Sequence, residues 1–148
     1  MTKKDKTYHY VESGLDNVYL VNGWSVDKTG AIHIQNIHEL HKAIGQRLVY
    51  LDRKLKGKEV RYIRHYLDLS QKRLGEILGV DYQSVLRWEK GAKITKQSDI
   101  MLKMIFHEYL SENARAVDLI DTISDLDNER GTDKIDLSHG KDGWTRAA

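Results

Sequence analysis

The chain has 148 residues, of which 40% are hydrophobic, and it contains neither cysteine nor proline. The lack of cysteine excludes disulfides, thiolate zinc sites and cysteine nucleophiles. No apolar run approaches the roughly 18 residues that a membrane span requires, and no signal peptide precedes the polar start. We therefore expect a cytoplasmic protein without contact to a membrane.

The formal net charge is only +2, but the charge is unevenly distributed. Residues 52–107 contain 13 Lys or Arg and 7 Asp or Glu, whereas residues 108–148 contain 5 and 10. A basic middle followed by an acidic end is typical of a nucleic-acid-binding module with a separate interaction segment. Chance variation in solvated surface charge is the alternative.

Residues 8–34 have the pattern of β-strands. Two apolar runs, residues 18–21 and 24–26, are separated only by Asn22-Gly23. Asn-Gly in this position is the strongest short hairpin signal, because both residues tolerate the positive φ of a type I′ turn. With a second turn at Asp27–Gly30, the pattern predicts one small antiparallel sheet of three or four strands. Its aromatic residues could stack single-stranded bases but more often form a sheet's own core: Tyr8, Tyr10, Tyr19 and Trp24.

An amphipathic helix is predicted after the strands. Asn36 at its start and Glu39 three residues later have the spacing of a capping box. Gly45 should weaken this helix by about 1 kcal/mol relative to alanine and allows a bend there. His38 and His41 are spaced for metal binding, but no third ligand is evident, so no metal site is predicted. The apolar face expected to pack on the sheet consists of Leu40, Ile44, Leu48 and Leu51.

The basic link 53–58 and a helix at 59–67 lead to two short helices separated by three residues. The predicted helices are Gln71–Leu78 and Tyr82–Lys90. Ser70 and Asp81 are good N-caps for them, and Gly79 stands where the first helix must stop in a positive-φ conformation. Their apolar stripes have helical spacing and consist of Leu74, Ile77 and Leu78 in the first helix and Val85 and Trp88 in the second.

This is the pattern of a DNA-binding helix-turn-helix, whose second helix enters the major groove. The first turn of that helix and one residue a turn later should face base edges, where Gln suits adenine, Arg suits guanine and a Tyr ring suits the thymine methyl group. The base-contacting candidates are Tyr82, Gln83, Ser84 and Arg87. The cations placed to reach phosphates are Lys72, Arg73, Lys90 and Lys93. The alternative is that these are ordinary exposed residues of a three-helix unit.

After a polar loop at 92–97, Ser98 is expected to cap a helix that closes the DNA-binding domain. Its apolar residues cover a wide arc: Ile100, Met101, Met104, Ile105, Phe106, Tyr109 and Leu110. A further amphipathic helix is predicted at 113–127, and its apolar stripe should be buried either by a second copy of the chain or by its own N-terminal sheet. The final segment, 128–148, is polar and aperiodic and is predicted to be flexible.

The sequence 69–91, LSQKRLGEILGVDYQSVLRWEKG, closely resembles the helix-turn-helix of Xre-type, phage-repressor-like regulators. The resemblance implies that Gln71 touches a phosphate and that Gly75 occupies the small position where the two helices approach each other. It also implies that Glu89, in the Trp-Glu-x-Gly ending, pairs with Arg64. Gly75 departs from the usual alanine, and Asp81 departs from the usual Ser or Thr cap.

Residues 10–23 look like the N-terminal part of bacterial, phage and plasmid Xre-type regulators, some of which are related to antitoxins of the MqsA and HigA kind. MqsA-type antitoxins carry zinc-binding cysteines in this region, and the chain has none, so the zinc site is not carried over. The resemblance leaves a toxin protein as a candidate partner.

Together these observations predict an α+β protein in four parts: a β-sheet with a helix at 1–51, a helix-turn-helix domain at 52–112, a helix at 113–127 and a tail at 128–148. The expected function is that of an autorepressor that binds double-stranded DNA as a homodimer at a palindromic operator. The alternative is an antitoxin-like interaction module that neutralises a toxin and autoregulates its operon. No catalytic constellation and no cofactor fingerprint occur, so neither an enzyme nor a cofactor is expected.

Overall fold

The computed structural model describes residues 7–111 and 134–147, which contain helices and short antiparallel strands. The predicted α+β class is therefore confirmed. No helix in these two stretches is long and apolar enough to cross a membrane. In chain order the elements are β1 (Tyr8–His9), a 3₁₀ turn (Val11–Ser13), β2 (Tyr19–Leu20), β3 (Trp24–Val26), β4 (Ile32–Ile34), α1 (Ile37–Val49), α2 (Gly57–Tyr66), α3 (Gln71–Leu78), α4 (Tyr82–Glu89), α5 (Lys96–Leu110), β5 (Leu137–Gly140) and β6 (Gly143–Arg146).

The N-terminal strands form two separate antiparallel pairs, β1 with β2 and β3 with β4. Asn22-Gly23 therefore joins strands of different pairs, and the predicted hairpin at this position is wrong, as is the single sheet of three or four strands. The cause is non-local, because Leu20 pairs with Tyr8 rather than with the strand that follows it. A turn signal fixes the local bend but does not choose the partner strand.

The second predicted turn is present and joins β3 to β4. The Asp27 Oδ1 atom accepts hydrogen bonds from the backbone N–H groups of Thr29 (2.8 Å) and Ala31 (3.0 Å), and Gly30 has φ +85°. An Asp side chain that bonds the backbone two residues ahead stabilises a tight turn.

Helix α1 starts differently from the prediction. Asn36 adopts a left-handed conformation with φ +48°, and its side chain caps no N–H group, so the predicted capping box is wrong. Gly45 is explained by packing, because a Cβ atom there would lie 2.8 Å from the Phe106 ring of α5. The glycine that weakens the helix thus lets α1 and α5 approach closely.

Helix α5 is capped by Thr95, whose hydroxyl accepts a hydrogen bond from the Ser98 N–H group at 3.2 Å. Ser98 lies inside the helix and is buried, so its predicted role as the cap is wrong. The apolar arc of α5 is also only partly covered, because Ile100 and Met104 are exposed. The apolar positions that do enter the core include Ile105, Phe106 and Leu110.

A buried polar network ties the link before α2 to α5. Asp99 accepts a hydrogen bond from the Leu55 N–H group at 2.8 Å and pairs with Lys103 at 3.1 Å. Lys103 in turn donates to the backbone carbonyl groups of Leu51 and Arg53. Because buried polar groups need partners, this network fixes the path of the chain between α1 and α2.

The buried apolar side chains form one cluster that includes Tyr10 and Leu20 from the N-terminal strands, Leu48 from α1, Ile63 from α2 and Leu102 from α5. Helix α5 packs against both α1 and α3. The residues around the N-terminal strands and all five helices α1–α5 therefore share one core. The division of the chain at residue 52 stays a prediction.

The end of the chain forms a β-hairpin of β5 and β6, in which His139 pairs with Trp144. Its turn includes Gly143 with φ +86°. The segment predicted to be flexible, residues 128–148, therefore contains a β-hairpin at residues 137–146. Its flexibility stays a prediction. The helix predicted at 113–127 lies outside the described residues.

Candidate nucleic-acid interface

Helices α3 and α4 pack against each other and are separated by residues 79–81, as the sequence predicts. Ser70 accepts a hydrogen bond from the Arg73 N–H group (3.0 Å), and Asp81 accepts one from the Gln83 N–H group (2.9 Å). Gly79 has φ +70°. Helices commonly end at a residue in this left-handed conformation, which glycine adopts most readily. Both N-caps and the C-terminal stop of α3 are therefore as predicted.

The close approach expected at Gly75 is present. A Cβ atom at this position would lie 2.9 Å from the Val80 carbonyl oxygen and 3.2 Å from the Tyr82 Cα atom. The Val80 N–H group also donates to the Gly75 carbonyl oxygen at 2.8 Å. The missing side chain thus allows the turn to fold back onto α3, which sets the start of α4.

Helix α4 is held at its other end by α2. The Arg64 Nε atom donates to Glu89 Oε2 and its Nη2 atom donates to Oε1, both at 2.9 Å. The two side chains are only 12% and 7% exposed, and a third bond runs from Arg64 Nη1 to the Leu69 carbonyl oxygen at 3.0 Å. A planar guanidinium that makes three bonds in fixed directions positions α4 more strictly than a flexible lysine would.

The backbones of α2 and α4 also approach each other closely at the same junction. Gly57, the first residue of α2, lies so close to the last turn of α4 that a Cβ atom would be 2.2 Å from the Trp88 carbonyl oxygen. Trp88 and Val85 are themselves buried. Contacts with α2 and with the core therefore hold the inner face of α4, and they set the orientation of its outer face relative to α2.

The outer face of α4 carries the four residues predicted to contact bases. Tyr82 is 48% exposed, Gln83 and Arg87 are exposed, and Ser84 is half-buried. The Arg87 Nη2 atom donates to the Ser84 Oγ atom at 3.2 Å, which places these two side chains side by side one turn apart. The arrangement presents a ring, an amide, a hydroxyl and a guanidinium from the first two turns of α4.

The residues predicted to contact phosphates lie around this face but differ in exposure. Lys72, Lys90 and Lys93 are exposed, whereas Gln71 is half-buried at the first position of α3. Arg73 is half-buried and pairs with Glu76 of the same helix, with 3.3 Å between Nη1 and Oε2. Because this pair is partly exposed, it competes only weakly with a phosphate for the arginine.

The two histidines weighed as metal ligands do not come together with a third ligand. The described residues contain no group of three or more His, Cys, Asp or Glu that could hold a metal ion. Instead, a hydrogen bond of 2.9 Å joins the Nε2 atom of His41 to the Tyr10 hydroxyl, and the Tyr62 hydroxyl donates to the His41 carbonyl oxygen. Burial lowers the pKa of His41 below its usual value. This histidine therefore links α1 to α2 through Tyr62 and to the 3₁₀ turn region through Tyr10.

A polar stripe on α2 was not predicted from the sequence. Lys58, Arg61 and His65 recur at helical spacing and line a groove between α2 and the 3₁₀ turn. Their spacing of three and four residues indicates that they share one face of α2. The sequence does not show that the 3₁₀ turn forms the opposite wall of the groove.

No protein-family model matches the chain, and no significant match is found among curated proteins or among solved structures.

Proposed function

We propose that this protein is a sequence-specific DNA-binding regulator in which α3, the turn 79–81 and α4 act as a helix-turn-helix. In this proposal α4 enters the major groove, and its exposed face reads bases through Tyr82, Gln83, Ser84 and Arg87. The flanking contacts to phosphates come from Gln71, Lys72, Arg73, Lys90 and Lys93, and they add affinity without sequence information.

The observation that carries the proposal is the way α4 is presented. Its inner face is fixed by the Arg64–Glu89 ion pair and by the contact between Gly57 and Trp88. Its outer face holds hydrogen-bonding side chains that are free of carboxylates along the first two turns. A rigid helix with polar, exposed residues on one side is what major-groove reading requires.

The proposed mechanism is steric and involves no chemistry on the DNA. A homodimer would present two copies of α4 about one helical turn of DNA apart and would bind a palindromic operator. Occupation of the promoter of its own operon would then repress transcription. This function places the protein in the cytoplasm, together with its DNA.

Selection of bound DNA from a random pool tests the proposal, combined with sedimentation of the complex to count the protein chains. The expected result is a palindromic site occupied by two chains. An asymmetric site occupied by one chain would remove the dimer from the proposal, and the absence of any enriched sequence would remove sequence-specific binding.

A second proposed function, neutralisation of a toxin protein, is favoured by the C-terminal hairpin. Leu137, His139 and Trp144 lie on one face of the hairpin by strand alternation, and Leu137 and Trp144 are 59% and 70% exposed. A two-stranded hairpin is marginally stable alone, so the exposed side chains of Leu137 and Trp144 suit contact with a partner surface. The test is co-expression with a neighbouring small open reading frame that is toxic alone. Neutralisation by the full chain, but not by a chain ending at residue 133, is expected.

A further inference from the structure

The groove between α2 and the 3₁₀ turn has the size of a ligand site. Its volume is about 550 Å³, within the range of roughly 300–1,000 Å³ that small-molecule sites occupy. One wall is the 3₁₀ turn with Ser13 and Gly14, and the other is the face of α2 that carries Lys58, Arg61 and His65. The groove lies outside the helix pair to which DNA binding is assigned.

Rings form much of the interior of this groove. Tyr62 and Tyr66 line it from α2, and His41 lines it from α1. The Tyr62 hydroxyl is already used in the bond to the His41 carbonyl oxygen. Tyr62 therefore offers a ligand mainly its ring surface, to which a flat apolar group can bind.

The cations lie along the exposed edge of α2. Arg61 is exposed, and within residues 7–111 and 134–147 its side chain donates one hydrogen bond, from Nε to His65 Nε2 at 3.4 Å. That bond is long, and it leaves the two terminal nitrogens of Arg61 for a bidentate contact with an oxyanion. Lys58, one turn earlier, bonds to Asp16 at 2.7 Å, but this ion pair is largely exposed and exchanges readily with another anion.

One carboxylate, that of Glu12, also lines the groove. It accepts a hydrogen bond from the Tyr8 hydroxyl, and this bond is the main cause that holds the pKa of Glu12 below its ordinary value. Glu12 is therefore charged at neutral pH and repels an anion from its side of the groove. The anionic group of a ligand is directed to the opposite side, where Arg61 lies.

We infer that this groove binds a small ligand that joins a phosphate group to a flat ring, as mononucleotides do, with the phosphate on Arg61 and Lys58. The groove adjoins the junction that holds α4, because the Arg64 guanidinium, which bonds Glu89, lies 3.5 Å from His65 Nε2. The inference concerns binding only and does not depend on the proposed DNA-binding function.

The test is a titration of the full-length protein with AMP in the absence of DNA, in which binding is monitored by the NMR chemical shifts of the backbone amides. Adenosine and inorganic phosphate, the two halves of the ligand, are titrated separately. Saturable binding with shifts at residues 12–14, 41 and 58–66 is expected. Arg61→Gln should weaken AMP at least about tenfold through loss of a charge-assisted contact. Glu12→Gln should bind AMP more tightly, and the control Lys96→Gln, an exposed cation on α5, should bind AMP as the parent does.

Two outcomes overturn the inference. The first is an AMP affinity that Arg61→Gln leaves unchanged, or no saturable AMP binding. The second is no AMP binding together with a decrease of about one in the salt slope of operator binding for Arg61→Gln, which assigns Arg61 to a DNA phosphate. Because the titration contains no DNA, a failure of the groove is distinguishable from a failure of DNA binding.

Discussion

The Arg64 guanidinium and the Glu89 carboxylate face each other with two parallel hydrogen bonds of 2.9 Å across the junction of α2 and α4. Both side chains are nearly buried. A buried ion pair adds little net stability relative to an apolar pair, but it is very sensitive to the loss of one partner. Its main effect here is on the position of α4.

Substitution of one partner of this pair should therefore be costly. Arg64→Ala leaves the nearly buried Glu89 carboxylate without its Arg64 donor and removes a hydrogen bond to the Leu69 carbonyl oxygen. It should lower the free energy of unfolding by about 3–5 kcal/mol. Urea denaturation measures the change. The control is Arg73→Ala, which breaks the partly exposed pair with Glu76 and should cost less than about 1 kcal/mol. Equal losses in the two variants would contradict the structural role of Arg64.

The contact of Gly57 with α4 predicts a steric effect. Gly57→Ala places a Cβ atom on the Trp88 carbonyl oxygen, and since backbone cannot move as a side chain does, the free energy of unfolding should fall by about 1–3 kcal/mol. Gly140→Ala is the matched control, because a Cβ atom there meets nothing within 4 Å. Thermal unfolding distinguishes the two. A Gly57→Ala protein as stable as the control would rule out this close approach.

Glu59 gives the protein a pH-dependent contribution to stability. Burial alone raises the pKa of Glu59, but hydrogen bonds from the Arg53 side chain and from the Lys56 N–H group outweigh it, so this pKa lies below the ordinary 4.5. A carboxyl with a depressed folded-state pKa stabilises the fold above its unfolded-state pKa, and this contribution is lost as pH falls through the folded-state value.

Glu59→Gln tests this directly. The difference in the free energy of unfolding between the parent and Glu59→Gln should be largest near neutral pH and should shrink as the pH falls below about 4.5. Urea titrations at a series of pH values measure it. A difference that stays constant over this range, or grows on acidification, would contradict the assignment.

The proposed base contact of Arg87 predicts a loss of specificity. Arg87→Ala should weaken operator binding by roughly 1–3 kcal/mol and relax the preference at one base position. Competition binding against a panel of single-base operator variants measures both effects. If binding to operator and to random DNA fell equally, Arg87 would be a phosphate contact instead.

Lys90→Ala is the matched substitution at a proposed phosphate contact. It should weaken binding to all DNA by a similar factor and reduce the slope of log affinity against log salt by about one. Binding to operator and random DNA at several salt concentrations provides the measurement. A change confined to one base position would reverse the roles of Lys90 and Arg87.

The sequence alone determined the pair of helices at 71–89 with considerable accuracy. Ser70 and Asp81 cap the helices, and Gly79 stops the first one, through hydrogen bonds and backbone angles that involve residues within a few positions of each other. Signals of this kind are local, so they can be read from the order of residues. Within this helix pair, the boundary that differs is the end of α4, which stops at Glu89 rather than Lys90.

What only the tertiary structure decided involves residues far apart in the chain. Asn22-Gly23 bends the chain as its composition indicates, but Leu20 pairs with Tyr8 of the preceding strand. Which strands pair depends on which arrangement buries the shared core. Likewise, nothing near Gly57 in sequence reveals that the end of α4 lies against it. Packing of distant segments selects among several locally acceptable arrangements, and it formed both the clamp that positions α4 and the groove beside α2.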